Sequence, residues 1–207
     1  IFKVKTEWRA EHAGRFDYVG SVVYTVAIVS LMVGISLLPK LHSILLIALG
    51  AFGFWLFFHH QHNRHDPLFD VSLFYSNRVF TLSCLASVLM YTATFANVVM
   101  ISLHLQYLQG MTAMVAGVVM MAQPLVMAIV SPYAGKLSDR IEARVIASFG
   151  MGITALGLAL LATIGSTTPI PLIVVYLMTT GLGFSLFSSP NANAIMGAVD
   201  SRQYGIA

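Results

Sequence analysis

The chain has 207 residues, of which 57% are hydrophobic and only 9% charged, with eleven Lys or Arg against eight Asp or Glu and a formal charge of +3. Soluble domains carry roughly 25% charged residues, and a chain of this size cannot hide so much apolar surface from water, so a soluble globular class is excluded. Cys84 is the single cysteine and sits in an apolar stretch, which excludes a disulfide framework or a cysteine metal site within the chain.

In chain order, a leading segment 1–18 carries Lys3, Lys5, Arg9 and Arg15. Six apolar stretches follow, predicted as helices over 19–38, 43–58, 79–103, 112–134, 145–164 and 170–189. About 20 apolar residues span the hydrocarbon core of a bilayer, so each stretch is read as a crossing, the second being the shortest. No Asp, Glu, Lys or Arg lies inside these cores, as expected where a central charge costs about 2.5–3.5 kcal/mol. The fold class is therefore an all-α polytopic transmembrane bundle of six spans. The chain starts at Ile1 and stops at Ile206-Ala207, and it is read as an internal fragment of a longer protein. No short basic-then-apolar leader with a small-residue cleavage site is visible.

The basic residues set the expected sidedness. Arg64 and Arg78 lie between spans two and three, Lys136, Arg140 and Arg144 between four and five, and Arg202 after span six. The alternate joints hold only Lys40, so ten of eleven basic residues fall on one side. The positive-inside rule makes that side cytoplasmic, with both chain ends on it.

The joint after span four reads Gly135-Lys136-Leu137-Ser138-Asp139-Arg140-Ile141-Glu142-Ala143-Arg144. It resembles the signature loop of the major facilitator superfamily, G-x-L-[SA]-D-[RK]-x-G-x-[RK], with Glu142 in place of a glycine. Pro67-Leu68-Phe69-Asp70-Val71-Ser72-Leu73-Phe74 with Asn77-Arg78-Val79-Phe80 resembles the start of the seventh core helix in that family's drug:proton antiporter branch with fourteen spans. Ser189-Pro190-Asn191-Ala192-Asn193-Ala194 is similar to its tenth core helix, and Arg15-Phe16-Asp17-Tyr18-Val19-Gly20 to the start of its inserted helix pair. The resemblance implies an inserted pair over 19–66 and the first four helices of the C-terminal half over 67–207. The N-terminal half and the last two helices would lie outside the chain. It also implies a secondary transporter in a prokaryotic cytoplasmic membrane, exporting drugs or other amphipathic small molecules by alternating access. No cofactor is expected, and a proton gradient would be the driving force. The expected partners are the small-molecule substrate, the lipid bilayer and the rest of the same protein, not nucleic acid, because the basic residues are scattered singly.

Candidate residues follow from polar groups at helical spacing. On span three, Ser83, Ser87, Met90, Thr94, Asn97, Ile101 and His104 share one face. Thr94 and Asn97 either line the substrate path or tie span three to a neighbour by hydrogen bonds. On span four, Met120, Gln123 and Met127 share a face with Ser131. Pro124 removes a backbone donor there and is expected to kink the helix. Gln123 then either meets substrate or satisfies the freed carbonyl, and the methionines suit either a promiscuous pocket or plain packing. Gly135, Asp139, Arg140 and Arg144 are expected to form a cytoplasmic gating loop. In it, Gly135 ends the fourth helix, and Asp139 stands before the fifth helix, paired with the two arginines. The other reading is a solvated turn that follows the positive-inside rule. Pro190, Asn191 and Asn193, behind Gly181 and Gly183, are read as helix-end packing or gating residues. His59, His60, His62 and His65 with Asp66 have a spacing that a metal could use, but they stand where polar side chains snorkel, and no metal site is assigned. No nucleophile–base–acid set and no phosphate-binding loop of the G-x-x-x-x-G-K-[ST] type appears, so no enzyme or direct ATP use is expected. A membrane scaffold or sensor, or a carrier of a non-drug metabolite, are the alternatives.

Overall fold

In the computed structural model, residues 17–62 and 72–199 are described, and they form eight α-helices and one π-helical turn without a strand. Six crossings are long and apolar enough for a membrane: Tyr18–Ser36, Leu41–Gln61, Arg78–Leu108, Ala113–Ser138, Ala143–Leu161 and Ile170–Gly197. Large apolar side chains stay exposed along most of them, for example Leu45 at 71%, Phe95 at 67% and Phe149 at 67%. Such a surface is stable in lipid and not in water. The chain is an integral membrane protein. It divides into two units, residues 1–76 with 201–207, and residues 77–200.

In the first unit, α1 (Tyr18–Ser36) and α2 (Leu41–His62) pack as a hairpin, and α3 (Ser72–Ser76) follows. The second crossing is longer than its predicted 43–58. No helix breaker stands between Phe58 and His62, so the helix runs on through His59, His60 and Gln61. Close approach rests on small residues: a Cβ at Gly50 would stand 2.8 Å from the backbone nitrogen of Leu31. Lys3, Lys5, Arg9, Arg15, Phe16, Arg64, His65, Asp66, residues 67–71 of the motif that begins at Pro67, and Arg202 lie outside the described residues.

In the second unit, α8 (Ile170–Gly197) is the hub. It packs against α4 (Arg78–Leu103), α6 (Ala122–Ser138) and α7 (Ala143–Leu161). Asn77 starts α4 by accepting the amide of Phe80 at 3.1 Å, and Thr112 starts α5 (Ala113–Met120) by accepting that of Val115 at 3.4 Å. α4 runs into a π-helical turn over His104–Leu108, and Gly110 at φ +67 turns the chain toward α5. Two apolar clusters fill the unit. Ile101, Leu105, Ala116, Leu161, Ile173 and Leu177 form one, and Met90, Ala147, Phe184 and Phe187 the other.

Span four is interrupted, in line with the donor lost at Pro124, and three other expectations are corrected here. Span four breaks at Met121, three residues before Pro124, because the proline has no N–H for the Met120 carbonyl one turn back. Span six does not end at 189. Pro190, Asn191 and Asn193 lie inside α8, which continues to Gly197 with Pro190 buried in it. Gly135 does not end the fourth helix either. It lies within α6, which runs to Ser138, and a Cβ there would meet nothing within 4 Å. Asp139 is consequently the C-terminal cap of α6. It does not stand at the start of α7, where Glu142 takes that place without a side-chain cap bond.

Candidate substrate cavity and its polar anchors

Three segments of the second unit surround a cavity of about 650 Å³. Tyr91, Thr94, Phe95 and Val98 come from α4. Met120, Met121, Gln123, Pro124 and Met127 come from the broken α5–α6 crossing, and Leu177, Phe184 and Ser188 from α8. Among the described residues, no Asp, Glu, Lys, Arg or His lines it. Four expected positions therefore meet on one wall: Thr94, Met120, Gln123 and Met127. Tyr91 and Phe184 meet edge-on across it, with ring centroids 5.2 Å apart.

Asn97 lies one turn beyond Thr94 on α4 and is not part of the lining. Its Nδ2 is buried without a hydrogen-bond partner, and so is Nε2 of His104 two turns on. Thr94 spends its hydroxyl on its own helix, donating to the Met90 carbonyl at 2.8 Å. The Gln123 side chain is only 4% exposed, faces the cavity and makes no hydrogen bond to a described residue. Its backbone is held against α8, since a Cβ at Gly181 would stand 2.6 Å from the Gln123 carbonyl oxygen.

Below the cavity, side-chain amides join the helix ends. Asn191 Nδ2 donates to the Ser83 carbonyl at 3.2 Å and to the Ser87 hydroxyl at 2.8 Å. The lower part of the α4 polar stripe is thus interhelical glue. Asn77 Nδ2 donates to the Ala198 carbonyl at 2.7 Å, closing the other corner of the α4–α8 contact. Asn193 Nδ2 donates to the Ser138 hydroxyl at 2.8 Å, and that hydroxyl donates to the Gly135 carbonyl at 2.7 Å. The signature segment is therefore tied to α8 through Ser138.

The expected ion pairs of the loop are not formed. Among the described residues, none joins Asp139 to Arg140 or Arg144. Because α6 continues to Ser138, Asp139 and Arg140 fall at its end, beside a recess of about 390 Å³ lined by Tyr133, Lys136, Leu137, Asp139 and Arg140. Arg144 lies beyond, in the first turn of α7.

The first unit holds a buried acidic residue, Asp17 of the motif that begins at Arg15, for which no individual role was expected. Asp17 is 2% exposed and caps α1 by accepting the Gly20 amide at 2.9 Å. Gln61, also 2% exposed, donates to Asp17 Oδ2 at 2.9 Å from the far end of α2. His60 Nε2 stands 3.6 Å from the same oxygen. A Cβ at Gly20 would lie 2.3 Å from that oxygen, so only glycine leaves room for the contact. The Asp-x-x-Gly spacing before an apolar run was a readable cap signal. Nothing in the sequence pointed to Gln61 as its partner.

A family model described as Major Facilitator Superfamily matches residues 16–207, nearly the whole chain. The chain belongs to the major facilitator superfamily. It is 33% identical over 136 residues to the riboflavin transporter RibZ of Clostridioides difficile (strain 630), covering 66% of this chain and 30% of that protein. It is 28% identical over 202 residues to the multidrug resistance protein Stp of Mycobacterium tuberculosis, covering 95% of this chain and 37% of that protein. It is 26% identical over 195 residues to the MFS-type transporter YhcA of Bacillus subtilis (strain 168), covering 91% of this chain and 36% of that protein. The chain thus spans about a third of the length of these curated relatives. The family and the names of the relatives are those of membrane transporters, not enzymes.

Proposed function

We propose that the chain is the inserted helix pair and the first four C-terminal-half helices of a facilitator that exports amphipathic, drug-sized molecules by alternating access. The observation that carries this reading is the cavity wall between α4, α6 and α8. Its volume of about 650 Å³ falls within the roughly 300–1,000 Å³ of small-molecule sites. Its lining of methionine and aromatic side chains suits varied apolar ligands, because thioethers and rings adapt to different shapes. The similarity to a multidrug resistance protein supports the same reading. We place the end that bears Lys136, Arg140 and Arg144 in the cytoplasm, as the positive-inside rule requires. The inner membrane-embedded faces of these helices hold no carboxylate among the residues lining the cavity, so the proton-carrying group of a proton-driven cycle would belong to another part of the protein.

In this reading Asp139, Arg140 and Arg144 act as a gate, with the recess beside Asp139 receiving a group from elsewhere in the full protein. Asn191, Asn193 and Pro190 hold α8 against α4 and α6 while that gate is set. The test is accumulation of a fluorescent amphipathic dye in cells with and without the full-length protein, before and after a proton uncoupler. Lower accumulation that the uncoupler abolishes is the expected result. Equal accumulation across several dyes refutes the exporter reading. The similarity to a riboflavin transporter favours a second reading, a carrier of a single aromatic metabolite. Uptake of labelled riboflavin by cells expressing the full protein, saturable and absent from control cells, would select it.

A further inference from the structure

The Gln123 side chain is the feature that the transporter reading does not absorb. A carboxamide at a cavity wall with no protein partner is left to bond with water or with a ligand. At 4% exposure it lines the cavity, and among the described residues nothing bonds to it. One structural use was available: Pro124 frees the Met120 carbonyl, and the Gln123 amide could have satisfied it. That bond is not made. The backbone at this point is fixed by the contact with Gly181 and by the proline ring that follows. The amide is therefore presented from a rigid base.

A primary carboxamide offers a donor and an acceptor side by side in one plane. Its complement is a ligand edge with the same pair reversed, an N–H next to a C=O held cis, as in a lactam or an imide. The walls around Gln123 are flat or pliable: Tyr91, Phe95 and Phe184, with Met120 and Met127. They suit a planar aromatic ring system. Among the described residues no acidic side chain lines this wall, so an organic cation would meet no counter-charge from it. The geometry points to Gln123 as the residue that sets specificity, reading neutral planar aromatic molecules through a lactam or imide edge. This deepens the proposed function and rests on it, since the cavity must be the substrate site.

The test uses the full-length transporter, purified in lipid nanodiscs, and three fluorescent probes of similar ring area. 1,8-Naphthalimide carries the free imide edge. N-methyl-1,8-naphthalimide has its N–H blocked, and N-methylacridinium is the cation. Two paired hydrogen bonds at a shielded wall correspond to about a tenfold preference. Naphthalimide should bind about tenfold tighter than its N-methyl analogue and tighter than the cation. The two imides should converge to within about twofold in Gln123→Met, which keeps side-chain length and removes the amide. The wild-type comparison needs no variant to fold. Equal affinity of the two imides for the wild type overturns the inference and leaves the exporter reading standing. So does a cation that binds as tightly as naphthalimide, or a tenfold gap that survives in Gln123→Met. Failure of all three probes to bind, together with unchanged dye accumulation in cells, removes both readings.

Discussion

The contact between α7 and α8 is where one added methyl group should matter most. A Cβ at Gly183 would stand 2.4 Å from both the backbone nitrogen and the hydroxyl of Thr154, and 2.7 Å from the Gly150 carbonyl oxygen. Non-bonded carbon contacts relax at about 3.5 Å, so Gly183→Ala forces the helices about 1 Å apart. The neighbours cannot simply rotate away. Two of the three atoms are backbone, and the Thr154 hydroxyl donates to the Gly150 carbonyl at 3.1 Å. Parting the helices also loosens Phe184 and Phe187 against Ala147. Overpacking of this kind costs about 1–3 kcal/mol, and the higher helix propensity of alanine offsets about 1 kcal/mol of it. A net loss of about 1 kcal/mol, and at most about 2 kcal/mol, is expected. Gly152→Ala, on the same α7, is the matched control, because a Cβ there meets nothing within 4 Å. It should stabilise by about 0.5–1 kcal/mol. Thermal melting of the two full-length variants in one detergent measures the difference. The melting temperature should fall by several degrees for Gly183→Ala and stay level or rise for Gly152→Ala. Equal shifts, or a more stable Gly183→Ala, would refute the close-packing argument.

Two further outcomes concern the polar anchors. Asn191→Ala removes the donor to Ser83 and Ser87, and a double-mutant cycle with Ser87→Ala should return a coupling of about 0.5–1.7 kcal/mol in melting experiments; additivity would mean that the bond contributes nothing. Asp139→Asn should lower dye efflux about tenfold at unchanged expression, the scale of a 1–2 kcal/mol coupling between a loop and a gate. Normal efflux by that variant would remove Asp139 from the gating role.

Much of the architecture was readable because lipid imposes simple rules. A crossing must be about as long as the bilayer is thick, and its core must lack charge, so six spans could be placed from hydropathy alone. Their ends were less readable. Hydropathy falls where side chains become polar, whereas a helix stops only where its hydrogen bonds do. His59, His60 and Gln61 are polar yet helical, and so are Gly135–Ser138 and Asn191–Gly197. Gly135 and Pro190 looked like terminators by residue type, but neither ends its helix. A single proline costs one backbone bond, and α8 keeps its course because its neighbours hold it on both sides of Pro190, through Ser189 before it and Asn191 after it.

Spacing also told which residues share a face, but not what that face meets. Ser83, Ser87, Thr94 and Asn97 fall on one stripe of α4 as the 3.6-residue period requires. Two of them serve Asn191, one borders the cavity, and one has a buried nitrogen with no partner. The choice between glue and lining was made by α8, whose side chains change along the stripe from Asn191 to Phe184 to Leu177. The same reasoning accounts for Asp17. Its role as a cap is local, written in the three residues that follow it. Its burial depends on Gln61, 44 residues away, and on the absence of a side chain at Gly20. A carboxylate beside an apolar span reads as interfacial in one dimension. It becomes a buried helix-pairing group only once the second helix of the hairpin is folded back over it.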